Sequence, residues 1–128
     1  MAAMYHVEIN NNGDSIMNAK SGNYEFAIDT KGKGITPPDA LLASLASCLG
    51  VYINKYFEGA KIASGGFKIT ADADFAQEKP ACFKAIKVSV ELKGVELDVK
   101  RKQALLAFAK NCPVHNTLKA NPTVEISL

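Results

Sequence analysis

The segment from Thr36 to Phe57 constrains the fold more than any other, because its first residues define a helix start with little alternative. Thr36 can cap, Pro37 suits the first helical position, and Asp39 stands three residues after Thr36, as in a capping box. The helix is expected to run to about Phe57, with Gly59 as its stop. Leu41, Leu45, Cys48, Leu49 and Tyr52 recur at helical spacing, so the thiol of Cys48 is expected to point into apolar packing about three turns in. The small residues Ala43, Ser44, Ala46, Ser47 and Gly50 let other backbone approach closely.

On either side of this helix the apolar period changes to two. Tyr5, Val7 and Ile9 alternate with His6, Glu8 and Asn10, which predicts a half-buried strand with a solvated His6. The run Asn10 to Asp14 tolerates the positive φ of a hairpin turn. Further strands are expected within Ser15 to Lys20 and Tyr24 to Asp29, followed by a flexible loop over Lys31 to Gly34. Beyond the helix, Phe67, Ile69, Ala71, Ala73 and Phe75 alternate, and after a polar loop ending at Pro80 so do Ile86, Val88, Val90 and Leu92, which predicts two long antiparallel strands. Asp98 can cap a second helix to about Lys110, with Leu105 and Phe108 inward and Cys112 near the continuation of that face. Val124, Ile126 and Leu128 alternate as a last strand. The order predicts an α+β fold, one domain over residues 1–128, whose first three strands must bury their inner face on something that follows or on another subunit.

Size and charge narrow the function. A chain of 128 residues is about one domain long, and its 48% apolar and 22% charged residues are ordinary for a globular protein. A net charge of +2, with the lysines spread along the chain, gives no basic stripe, so no nucleic acid is expected as partner. No uninterrupted apolar run reaches membrane-span length, and Met1 to Tyr5 has no charged region leading into an apolar stretch. No membrane association is expected, and the expected localisation is cytoplasmic.

Three cysteines, Cys48, Cys82 and Cys112, are too few and too far apart for a secreted disulfide framework or a zinc ribbon. In a reducing compartment such residues are either small core hydrophobes or redox groups. Cys112 is the better placed on local grounds, because Pro113 favours a new helical turn with Cys112 at its cap, where free N–H groups and the helix dipole stabilise a thiolate. His115, three residues on, is near enough to donate to that thiolate or exchange a proton with it, and equally able to bond the backbone of its turn. Cys82, just after Pro80, has no such setting. Cys48, Cys112 and His115 could also be zinc ligands, but a fourth is not evident.

Two segments together, Thr36 to Gly50 with its Ala-Ser-Cys ending and Cys112-Pro113-Val114-His115-Asn116-Thr117-Leu118, resemble proteins of the OsmC/Ohr hydroperoxide-resistance family, and the order of elements agrees over nearly the whole chain. The resemblance implies an OsmC-like fold, antiparallel sheets packed around a long central helix, in an intertwined homodimer. It implies a thiol-dependent peroxidase acting on an organic hydroperoxide, with Cys48 attacking, Cys112 resolving, an external dithiol as reductant, and no cofactor beyond the protein thiols. Asp39 stands where the family's glutamate would be, and Asp39 and His115 join the two cysteines as candidate site residues. Leu45, Leu49, Tyr52 and Phe108 are candidates for the peroxide-facing wall. The peroxidases of the family pair that glutamate with an arginine, whereas Arg101, the only arginine here, lies on the second helix. Lys31 or Lys33 could supply the missing charge. The alternative is a non-enzymatic member that binds a small apolar ligand in the dimer cleft, its thiols serving as packing residues.

Overall fold

The computed structural model describes residues 4–128, in two compact units, one up to Leu41 and the other from Leu42 to Leu128. The elements are β1 (Glu8–Asn10), β2 (Met17–Ser21), β3 (Tyr24–Ile28), α1 (Pro37–Ala60), β4 (Phe67–Ala76), β5 (Cys82–Leu92), α2 (Val99–Ala109) and α3 (Pro113–Ala120). This is the expected α+β order up to α3.

In the first unit β1, β2 and β3 form an antiparallel sheet in that order, with Ile9 opposite Ala19 and Ala19 opposite Phe26. The β1–β2 turn is built by Asn11, whose amide donates to the carbonyls of Asp14 (2.8 Å) and Ile16 (2.9 Å) and whose Oδ1 accepts from the N–H of Gly13 at φ +93°. β1 begins only at Glu8, later than the alternation from Tyr5 predicts. Tyr5 and Val7 lie before the first ladder pair, Glu8 with Lys20, and stay exposed. The loop expected to be flexible is organised instead. The buried carboxylate of Asp29 accepts from the N–H groups of Lys31 (3.1 Å) and Lys33 (2.9 Å), and Gly34 sits so close to the Ala27 carbonyl that a Cβ there has no room.

The second unit is organised on α1. Ile53 and Phe57 bury against Leu97, Leu105 and Ala109, with Leu49, Phe67, Ile69 and Val90 packed around them. Gly50 is buried because Phe67 and Ile69 press on the helix there: a Cβ would lie 3.2 Å from the Phe67 ring and 3.4 Å from Ile69. By length and composition α1 could cross a membrane, a test that the core helix of a soluble protein passes as well. Gly59 does not stop it. The helix ends one residue past it, with Lys61 at φ +56°, where the N–H of Ile62 reaches Phe57 O (3.0 Å) and that of Lys61 reaches Glu58 O (3.2 Å), a Schellman cap without glycine.

β4 and β5 form a long antiparallel hairpin, with a register shift between Asp74 and Phe75. Asp98 caps α2 as predicted, accepting the Arg101 N–H at 2.8 Å. The predicted last strand is absent from the single chain: residues 121–128 have no regular structure, and Val124 and Ile126 are 77% and 92% exposed. Alternation supplies one apolar face, but a strand also needs a neighbour for its backbone groups, and none of the described residues pairs with this segment.

Candidate active site

The start of α3 follows from three residues in sequence. Cys112 is its N-cap, Pro113 occupies the first helical position and has no N–H to offer, and the first free donors are therefore the N–H groups of Val114 and His115. The His115 N–H donates to Cys112 Sγ at 3.4 Å, and the Val114 N–H acts on the thiol of Cys48 on α1 in the direction that favours its thiolate. The Cys112 carbonyl meanwhile accepts the first helical bond, from Asn116 N at 3.0 Å. One helix terminus thus serves both thiols, with its dipole oriented to favour sulfur anions.

The two thiols differ in setting. Cys112 is fully buried, Cys48 is half-buried, and the Cys112 side chain faces Cys48 at interaction range. Burial pushes the Cys48 thiol above its usual value, and the neighbouring Cys112 pushes it the same way; the Val114 N–H and the charge of Lys55 pull against them, but the net shift is upward. All three cysteines are free, which leaves Cys48 and Cys112 as a reduced pair. Cys82 is exposed at the start of β5, and neither of the other cysteines lies in its strand.

The other predicted residues make local contacts. The Thr36 hydroxyl donates to Asp39 Oδ2 at 2.8 Å and accepts from the Asp39 N–H at 3.3 Å, one half of a capping box, the carboxylate taking the hydroxyl in place of the Thr36 backbone N–H. His115 reaches Cys112 through its backbone, while its ring Nδ1 pairs with Asn116 Oδ1 at 3.2 Å. The backbone donor of Val114 was missed from sequence, although a Cys-Pro start already implies that the next two N–H groups are free.

Beside this pair lies an apolar cavity of about 550 Å³ between α1, β5, α2 and α3. Leu45, Leu49 and Ile53 form one wall and Ile86, Val88 and Val90 the other, with His115 at the cavity and Lys84, Lys110 and Lys119 around it. Of the four residues expected to face a peroxide, Leu45 and Leu49 line this cavity. Tyr52 and Phe108 instead pack against each other, tilted by 45° with ring centres 6.1 Å apart, and do not line this cavity, nor does either sulfur. Among the described residues no group of three His, Cys, Asp or Glu side chains is arranged to hold a metal ion.

The chain is similar to known proteins in sequence and in fold. A hydroperoxide reductase of Mycoplasma genitalium is 28% identical over 130 residues, covering 91% of this chain and 88% of that protein. Among solved structures, an OsmC-like protein from Mycoplasma pneumoniae superposes with a TM-score of 0.83 at 24% identity, covering 93% of this chain and 89% of that one. An organic hydroperoxide resistance protein from Elizabethkingia anophelis superposes with a TM-score of 0.64 at 22% identity, covering 94% and 93%. The family described as OsmC-like protein matches residues 30–127, and the chain belongs to that family.

Proposed function

We propose that this protein is a thiol-dependent peroxidase that reduces organic hydroperoxides, a role in defence against oxidative stress. The observation that carries the reading is the convergence of Cys48 and Cys112 on the free N–H groups at the start of α3. The Cys48 thiolate attacks the distal oxygen of ROOH, the O–O bond breaks, and the alkoxide takes a proton and leaves as ROH. Cys48 is then a sulfenic acid. The Cys112 thiol condenses with it, the S–O bond is replaced by S–S, and water departs. An external dithiol restores both thiols by exchange.

The apolar cavity beside the pair suits an alkyl group better than the small polar hydrogen peroxide. Exposed Tyr24 and Phe26 on the first sheet, and the unpaired Val124 to Leu128, support a homodimer in which a second copy covers them. One domain and a cytoplasmic location are part of the same reading.

The raised Cys48 thiol and a cavity wall without sulfur support a second reading, a non-enzymatic protein that binds a small apolar ligand. Steady-state turnover separates them. With a dithiol reductant the wild-type protein is expected to consume an alkyl hydroperoxide faster than hydrogen peroxide, and Cys48→Ser to consume neither. Full turnover by Cys48→Ser would rule out the peroxidase reading.

A further inference from the structure

The Cys48 thiol is short of a cation. The chain has one arginine, Arg101, and it lies on α2. On α1 itself, however, Cys48, Tyr52 and Lys55 follow the i, i+4, i+7 spacing and lie on one stripe of the helix. Helical side chains lean toward the N-terminus, so the long stem of Lys55 reaches back along that stripe toward Cys48. Its Nζ stands 4.6 Å from the centre of the Tyr52 ring. Tyr52 is in turn held by Phe108 of α2, with ring centres 6.1 Å apart, and Phe108 by Tyr56 at the same separation. The ammonium is therefore docked on a braced aromatic face, where its ring contact is favourable, and not left to wander over the surface.

We propose that Lys55 is a positioning residue for Cys48: its ammonium, seated on the Tyr52 ring one turn along α1 from Cys48, supplies the positive field that favours the Cys48 thiolate. The charge of Lys55 does act on Cys48 in the stabilising direction. The other groups facing Cys48 come from α3: the Cys112 thiol, which opposes ionisation, and the Val114 N–H, which favours it. His115 acts on Cys112 through its N–H while its ring is held by Asn116. The inference deepens the peroxidase reading and rests on it for its consequence in turnover, but the effect on the thiol can be read without peroxide.

The test measures the rate of Cys48 alkylation against pH in protein carrying Cys82→Ser and Cys112→Ser, so that one thiol remains and the Cys112 coupling is removed. Lys55→Met keeps the stem and removes the charge. From a charge at roughly 10 Å and an effective dielectric between about 20 and 80, the midpoint is expected to rise by about 0.3 to 1 pH unit, a twofold to tenfold loss of thiolate at neutral pH. Lys55→Arg is expected to restore most of the midpoint, and Tyr52→Leu to reproduce part of the loss. In about 1 M salt the difference between wild type and Lys55→Met is expected to shrink, since screening then acts over a few ångströms. A midpoint unchanged by Lys55→Met at low salt overturns the assignment. If the midpoint moves while protein with both thiols consumes no hydroperoxide, the peroxidase reading fails and the role of Lys55 stands. If hydroperoxide is consumed with the same pH profile by wild type and Lys55→Met, the assignment of Lys55 fails alone.

Discussion

Replacing Cys112 by serine and by alanine separates the two tasks of its sulfur, capping α3 and resolving a sulfenic acid. Sγ accepts the His115 N–H at 3.4 Å from a fully buried position at the N-cap. Alanine removes that acceptor, which typically costs about 1 kcal/mol at an N-cap. It also removes one buried heavy atom of roughly methylene size, worth about another 0.8 kcal/mol. Cys112→Ala is therefore expected to lose about 2 kcal/mol. Serine keeps an acceptor, is itself a favoured capping residue, and can donate its hydroxyl to Cys48, so Cys112→Ser is expected to lose about 1 kcal/mol or less. Urea unfolding under reducing conditions measures the difference. The midpoints should fall in the order wild type, serine, alanine with equal slopes, and each kcal/mol should correspond to about 4 °C in Tm. Both variants should lack the resolving thiol. Equal midpoints for serine and alanine would refute a capping role for the sulfur and with it the local account of how the site is built.

Two further perturbations follow from particular positions. At the end of α1, Gly59→Ala should stabilise by up to about 1 kcal/mol, because Gly59 is helical and an added Cβ meets nothing within 4 Å; Lys61→Gly should stabilise by a similar amount, because Lys61 holds φ +56°. Thermal unfolding of the single and double variants checks both signs. Burial works to raise the Asp29 carboxyl, but the Lys33 N–H, the Ser15 hydroxyl, the Lys31 N–H and the Lys33 charge together hold it below its usual range. A carboxyl depressed in the folded state contributes stability above its unfolded value and loses it as pH falls toward the folded one. Wild type should thus lose stability relative to Asp29→Asn as pH falls from 5 toward about 3, and parallel curves in urea unfolding would contradict that.

Most of the fold was legible because its signals are local. The start of α1 depends on Thr36, Pro37 and Asp39, and that of α2 on Asp98, each within one turn of what it caps. The stop of α1 was misread at Gly59, since a Schellman cap is decided by carbonyl geometry and here accepts a lysine at positive φ. The alternation at Val124 to Leu128 carries half of what a strand needs; the other half is a partner that the alternation cannot name. Within the site, Cys112 at the cap was readable from Pro113 alone. Its meeting with Cys48 was not, because the two are 64 residues apart in sequence and only the resemblance paired them. The Val114 N–H left no side-chain signature. The ring of His115 pairs with Asn116, and only the backbone N–H of that residue meets the sulfur.

The central claim is that Cys48 and Cys112 act as one redox pair, and a single turnover of reduced protein with a slight excess of an alkyl hydroperoxide tests it most directly. Free thiols and intact mass are read under non-reducing conditions. The account predicts loss of two thiols and two hydrogens in the wild type, no change in Cys48→Ser, and a sulfenic acid in Cys112→Ser. Thiols unchanged after long exposure, or a disulfide that still forms in Cys48→Ser, would contradict it.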